Sequence, residues 1–133
     1  FEDESLGFVI FWKEVSGSDV KAISGEMIKV NYTGKFLNNV VFDTSLEDVA
    51  KENNIFNQNR VYAPFEYIFD RGQVISGFDF AVSRMDEGDK IIAFIPSLYA
   101  YGRTGSPPRI PGNTPLIFEL ELLPAQAAEP DDD

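Results

Sequence analysis

Ala93–Leu123, AFIPSLYAYGRTGSPPRIPGNTPLIFELELL, reads as strand, long loop, strand. In the second strand Leu116, Phe118, Leu120 and Leu122 alternate with Glu119 and Glu121, the period-two pattern of a strand with one buried face. The first runs over Lys90–Pro96, with Ile91, Ala93 and Ile95 on one side and Ile92 and Phe94 on the other. Five of the eight prolines (Pro96, Pro107, Pro108, Pro111, Pro115) and three glycines (Gly102, Gly105, Gly112) crowd the connection. Loops this long without a helical pattern are usually functional or disordered. Prolines lower the entropy lost on ordering one, and Tyr99, Tyr101 and Ile110 need something to pack against. The loop is therefore expected to form one wall of a binding site.

Towards the amino terminus, Ile75–Met85 reads as a short helix, with Ser76 placed to cap it and Ile75, Phe78, Val82 and Met85 spaced for burial. Asp70–Gln73 is a turn, and Phe65, Tyr67 and Phe69 share one face of a strand opened by Pro64. Leu46–Asn53 is a second helical pattern, with capping-box spacing at Thr44/Glu47 and Ser45/Asp48 and a narrow apolar stripe at Leu46, Val49 and Ala50. Ile55–Ala63 shows no period. Met27–Leu37 alternates Ile28, Val30 and Tyr32 against Lys29, Asn31 and Thr33, and Asn38-Asn39 turns it into a return strand over Val40–Asp43. Gly7–Val15 is rich in β-branched and aromatic residues and reads as a first strand. Together these elements predict an α+β domain, an antiparallel sheet with one short central helix.

One hundred and thirty-three residues suffice for one domain with a real core. The expected layout is an acidic, frayed tail over 1–5, a domain over 6–124 with an insert at 46–63, and an acidic, disordered tail over 125–133. Net charge is −11, of which Glu2, Asp3, Glu4, Glu129 and Asp131–Asp133 carry −7, leaving −4 for residues 5–128. An acidic chain is a poor partner for nucleic acid. The chain has no Cys and no His, which removes thiol nucleophiles, imidazole bases and the common zinc frameworks. No carboxylate pair is placed for acid/base work, and neither metal-ligand spacing nor a phosphate-cradling loop is present. Neither metal nor cofactor is expected. What remains is an aromatic pocket guarded by prolines.

Val30-Asn31-Tyr32-Thr33-Gly34, Phe42-Asp43-Thr44-Ser45, Val74-Ile75-Ser76-Gly77-Phe78, Tyr99-Ala100-Tyr101-Gly102 and Ile117–Leu123 occur in that order. This set closely resembles the FKBP-type peptidyl-prolyl cis-trans isomerases, the macrolide-binding immunophilins, over Gly25–Leu123. The resemblance implies a strongly curved antiparallel sheet wrapped around the short helix. It implies catalytic roles for Tyr32, Phe42, Asp43, Tyr101 and Phe118, and substrate binding by Phe65, Val74, Ile75, Phe78, Ser106, Arg109 and Ile110. Phe78 would be the floor, Tyr32, Phe42 and Phe118 the lining, and the Ile75 N–H and Tyr101 hydroxyl donors to ligand carbonyls. Departures stand at Phe78, where the family usually has Trp, at Ser106, where His is frequent, and at Arg109, where an apolar residue is common. The last two are expected to alter the rim and hence selectivity.

Leu46–Ala63 is longer than the minimal family domain. Its text, Asp48–Asn57 and Asn59-Arg60, resembles the insert of gliding-motility-associated FKBP lipoproteins of bacterial envelopes. That implies a lipidated Cys upstream of Phe1 and a periplasmic or cell-envelope setting, with the cytoplasm as the alternative. The expected partners are proline-containing polypeptides and, with Phe78 in place of Trp, macrolides of unsettled affinity; a monomer is expected. A proline-binding or chaperone module with little turnover is the alternative function. Taken singly, the site residues have plainer readings: Tyr32 and Phe65 as core aromatics, Asp43 as a turn residue, Phe78 as the anchor of its helix and the Leu46 helix as a solvated flap.

Overall fold

The computed structural model describes residues 1–3 and 6–125. Seven strands form one antiparallel sheet: β1 (Glu2–Asp3), β2 (Phe8–Glu14), β3 (Met27–Lys35), β4 (Val41–Thr44), β5 (Phe65–Ile68), β6 (Lys90–Ile95) and β7 (Leu116–Leu122). The order is β1-β2-β6-β7-β3-β4, with β5 pairing the first half of β3 where β4 pairs the second. Two helices, α1 (Glu47–Glu52) and α2 (Ser76–Ser83), complete the α+β architecture. Of the expected amino-terminal tail, Glu2–Asp3 is paired to Phe8–Val9, while Glu4 and Ser5 lie outside the described residues. The expected disordered tail beyond Ala125 lies outside them too.

Strand β7 sits at the centre because it can be buried along one whole face. Leu116, Phe118, Leu120 and Leu122 are all 5% exposed or less. Its large ring at Phe118 stands between two small neighbours, Gly34 on β3 and Ala93 on β6. That register leaves a hollow on the inner face at this level. Lower on the same face, Phe8, Ile10, Ile91 and Ile95 close the core against α2. Gly77 lets α2 come down onto β6, since a Cβ there would collide with Ile95 and lie 2.8 Å from the Tyr99 carbonyl.

Helix α2 is shorter than the expected Ile75–Met85, and Ile75 rather than Ser76 occupies the cap position. The Ile75 carbonyl accepts from the N–H groups of Phe78 (3.0 Å) and Asp79 (3.3 Å), so Ile75's own N–H stays outside the helix. Helix α1 also starts without the expected capping boxes. Thr44 and Ser45 are buried at the end of β4, and their hydroxyls are used there. Thr44 Oγ1 donates to the Tyr32 carbonyl (2.9 Å), and Ser45 Oγ accepts from the Tyr32 N–H (3.0 Å). Thr44 Oγ1 also accepts from the N–H of Leu46 at 3.1 Å, the residue just before α1, so both hydroxyls are committed around the end of β4 and neither caps the first turn of the helix.

The loop from Pro96 to Pro115 is braced along its length. It opens with a 3-10 turn at Ser97–Tyr99, Ser106 and Ile110 exchange two backbone bonds, and the Asn113 N–H reaches the Gly102 carbonyl at 2.7 Å. Ile110 is 3% exposed and belongs to the hydrophobic core.

Candidate functional site

Strands β3, β4, β5 and β7 and the start of α2 enclose a well of ≈ 210 Å³. Tyr32, Phe42, Phe65, Val74, Ile75, Phe78, Tyr101 and Phe118 line it, with Asp43 and Gln73 at its margin. Phe78 is the floor. Its ring meets those of Tyr32, Phe65, Tyr67 and Phe118 near-perpendicularly, at centroid separations of 5.4 to 6.4 Å. Edge-to-face rings are mutually attractive, so the floor is stiff and dry without the indole. Gly34 makes room for the upper wall, since a Cβ there would stand 2.6 Å from Phe42 and 3.0 Å from Phe118.

The well's few polar groups fall into two sets. One is already satisfied. The Tyr32 hydroxyl donates to Asp43 Oδ2 at 2.7 Å, and Arg60 Nη1 donates to Asp43 Oδ1 at 2.7 Å. Arg60 Nη2 reaches the Tyr32 oxygen at 3.2 Å, and the Thr44 N–H also binds Asp43 Oδ1. Burial, reinforced by Asp43, pushes the Tyr32 pKa up to about 12, so its hydroxyl remains a donor at neutral pH. For Arg60 partial burial works against the charge, but the bonds to Asp43 and Tyr32 outweigh it and hold the pKa above the ordinary arginine value. The second set is free. The Ile75 N–H donates to no backbone carbonyl, and the Tyr101 hydroxyl has no hydrogen-bond partner among the described residues. Burial, then the Asp43 charge, raises the Tyr101 pKa, which keeps that hydroxyl protonated and able to donate.

Three residues expected here lie elsewhere. Ile110 is in the core, 3% exposed, and is not among the residues that line the well. Ser106 does not line the well; it is spent on pairing with Ile110. Arg109 lines a neighbouring cavity instead.

Arg60 was not singled out by the sequence reading. It arrives from the insert, whose far end is ordered by its own contacts. Phe56 stacks on Tyr62 with centroids 5.6 Å apart, the Tyr62 hydroxyl accepts from the Asn57 N–H at 3.0 Å, and the Arg60 guanidinium lies 4.8 Å over the Tyr62 ring. Its helix α1 docks by the fully buried Ala50. Thr33, Val41 and Val49 line a cavity between α1 and the β3–β4 edge. Gly34 was read only as part of a motif, and the contact it permits between Phe42 and Phe118 had no signal of its own in the sequence.

Among the described residues no group of His, Cys, Asp and Glu side chains is arranged to hold a metal ion, and no helix is long and apolar enough to cross a membrane. The family model for FKBP-type peptidyl-prolyl cis-trans isomerase matches residues 18–123. Mouse peptidyl-prolyl cis-trans isomerase FKBP2 is 39% identical over 111 residues, covering 84% of this chain and 70% of the relative. The human protein of that name is 39% identical over 111 residues, covering 84% and 69%. FK506-binding protein 2 of Dictyostelium discoideum is 38% identical over 104 residues, covering 78% and 68%. Strands β1 and β2 precede the matched span and extend its sheet.

Proposed function

The chain belongs to the FKBP-type peptidyl-prolyl cis-trans isomerase family, and on that premise we propose that its aromatic well turns X-Pro bonds by solvating the twisted amide. It is a peptidyl-prolyl cis-trans isomerase, accelerating rotation about X-Pro bonds in proline-containing polypeptides. A peptide bond resists rotation by about 18–20 kcal/mol because the nitrogen lone pair is shared with the carbonyl. Twisting through 90° breaks that sharing and reduces the charge separation. A dry ring-lined well therefore favours the twisted amide over either planar isomer, relative to water. Only such differential binding accelerates the step, and each ~1.4 kcal/mol of it is worth about tenfold.

One observation carries this reading: at the well the Ile75 N–H and the Tyr101 hydroxyl are both uncommitted donors. Those two would hold the carbonyls that flank the rotating bond, while the proline ring sits over Phe78 among Tyr32, Phe42 and Phe118. Asp43 is engaged by Tyr32, Arg60 and Thr44 and would act as a fixed margin of the well, not as a base. No proton needs to move. The test is a cis/trans assay on short X-Pro peptides with Tyr101→Phe beside the parent protein. Losing one hydrogen bond of ~0.5–1.5 kcal/mol should slow turnover by about two- to tenfold with no loss of fold. Rates indistinguishable from buffer at micromolar parent protein would overturn the reading.

The insert's likeness supports two narrower proposals, membership of the gliding-motility-associated lipoprotein subgroup and an envelope setting. Fractionation of the source cells, with metabolic labelling by a fatty acid, tests both; unlabelled protein in the cytosolic fraction would refute them. The Dictyostelium relative is an FK506-binding protein by name, and macrolide binding is proposed here with reduced affinity, because Phe78 offers no indole N–H. Titration with FK506 beside Phe78→Trp tests it; equal affinities would show that the floor is not the determinant.

A further inference from the structure

A second cavity of ≈ 280 Å³ opens beside the well, between the insert and the proline loop. It shares Phe42 and Asp43 with the well, so the two hollows meet across that strand. Its remaining walls come from Thr44 at the end of β4, Ile55, Asn57, Arg60 and Tyr62 of the insert and Arg109 of the loop. A single substrate residue fills the first hollow. A second one alongside has room for the side chain of a neighbour.

The charges in it do not cancel. Both oxygens of Asp43 are occupied, Oδ2 by Tyr32 and Oδ1 by Arg60 and the Thr44 N–H, so the Asp43 carboxylate and the Arg60 guanidinium answer one another. Arg109 has no ion-pair partner among the described residues and is exposed. The Asn57 side-chain oxygen Oδ1 is taken by the Asn59 N–H at 2.8 Å, which leaves the Asn57 side-chain NH2 as a donor. Phe42, Ile55 and Tyr62 offer apolar surface for a methylene stem. The cavity thus combines one uncompensated guanidinium, one free amide donor and an apolar side, in a chain whose net charge is −11. A guanidinium left unpaired at the mouth of a site that holds two arginines and one carboxylate is suited to a substrate anion.

We propose that this cavity is a selectivity subsite for an acidic side chain, Asp or Glu, adjacent to the substrate proline, with Arg109 as its counter-charge. The proposal rests on the well being the proline site. Arg109 binds the carboxylate from the rim, Asn57 adds a hydrogen bond, and the stem lies along Ile55 and Tyr62. Lysine in the same position meets Arg109 and is disfavoured. Arg60 remains on Asp43 and acts as a positioning residue for the shared wall.

The experiment compares X-Pro peptides carrying Glu, Gln or Lys immediately before or after the proline, and reads the Glu/Gln ratio of kcat/KM. An exposed ion pair supports about a two- to fivefold preference for Glu at one of the two positions. It should shrink as salt is raised, because the pair is open to solvent. Arg109→Gln should bring the ratio to about one, and because each ratio is taken within one protein, any general change in activity cancels. Arg103→Gln, in the same loop but outside the cavity lining, should leave the ratio as it was. A parent ratio near one at both positions, or one that survives Arg109→Gln, overturns the proposal. Should neither peptide be turned over, the isomerase reading fails instead, and the ratio of Kd values for the same peptides decides the subsite.

Discussion

Two long connections flank the well, and they are fastened in opposite ways. The proline loop is held from beneath, with Ile110 in the core and two backbone bonds of 2.8 and 2.9 Å across Ser106 and Ile110. The insert is held at its near end by the buried Ala50 and at its far end by the Arg60–Asp43 pair, whose side chains are 37% and 27% exposed. Burying a large aliphatic side chain stabilises by ~1.5–3 kcal/mol, whereas a pair this open to solvent is worth ~0.2–1 kcal/mol. The proline loop should therefore open only with the whole domain, while the far end of the insert opens locally and more easily in salt. A stretch full of prolines and glycines is part of the scaffold, and a stretch beginning as a helix ends as the adjustable side of the site.

The most damaging way to break that contrast is Ile110→Ala. If the loop hangs on the core, the substitution should cost about 2–5 kcal/mol in denaturant unfolding. Turnover should fall with it, because Tyr101 rides on the same loop. A cost below ~0.5 kcal/mol would mean that the loop is carried by its backbone bonds alone.

Gly34→Ala comes next in size and touches neither connection directly. Its methyl would meet Phe42, the wall common to both cavities, and overpacking of this kind costs ~1–3 kcal/mol. Turnover should drop further than the stability loss explains, since Phe42 must turn into one hollow or the other. Parent-like turnover after correction for the folded fraction would show that the wall gives without consequence.

Arg60→Gln should change global stability by less than ~1 kcal/mol. Hydrogen exchange separates the two connections: the Arg60 amide, bonded to the Asn57 carbonyl at 3.0 Å, should exchange faster, while the Ser106 and Ile110 amides keep their protection. Equal acceleration in both would erase the distinction.

These tests also mark where the sequence was legible. Strands β3 and β7 and helix α2 could be read because burial of one face imposes a period, which puts Tyr32, Phe78 and Phe118 on inner faces; their part in a site came only from the family resemblance. Ile110 lies between Arg109 and Pro111 in a stretch with no period, so nothing local says that it turns inward. Arg60 sits among Asn and Gln residues, seventeen positions from Asp43, and a pair formed over that separation leaves no spacing to recognise. Thr44 and Ser45 carried a helix-capping pattern that was real as text, but the nearer demand of the Tyr32 backbone outcompeted it. Periodic burial is written along the chain; contacts between two aperiodic segments are not.

The smallest expected effect bears most directly on whether the insert belongs to the site. Tyr32 has its pKa pushed up to about 12 by burial first and Asp43 second, while Arg60 pulls it down. Because the folded value lies above the ordinary 10.0, Tyr32 contributes stability that is intact below pH 10 and lost as pH rises through about 12. Turnover should therefore show no Tyr32 limb in the neutral range. The informative measurement is the titration of the Tyr32 ring, followed by NMR in protein labelled at tyrosine. Arg60→Gln removes a nearby positive charge and should move the titration upward, whereas Asp43→Asn removes the negative one and should move it downward. Opposite shifts would mean that the insert's guanidinium sits on the Tyr32–Asp43 pair in solution. If only Asp43→Asn moves the titration, the far end of the insert is detached from the well, and the segment is a flap whose contribution ends at Ala50.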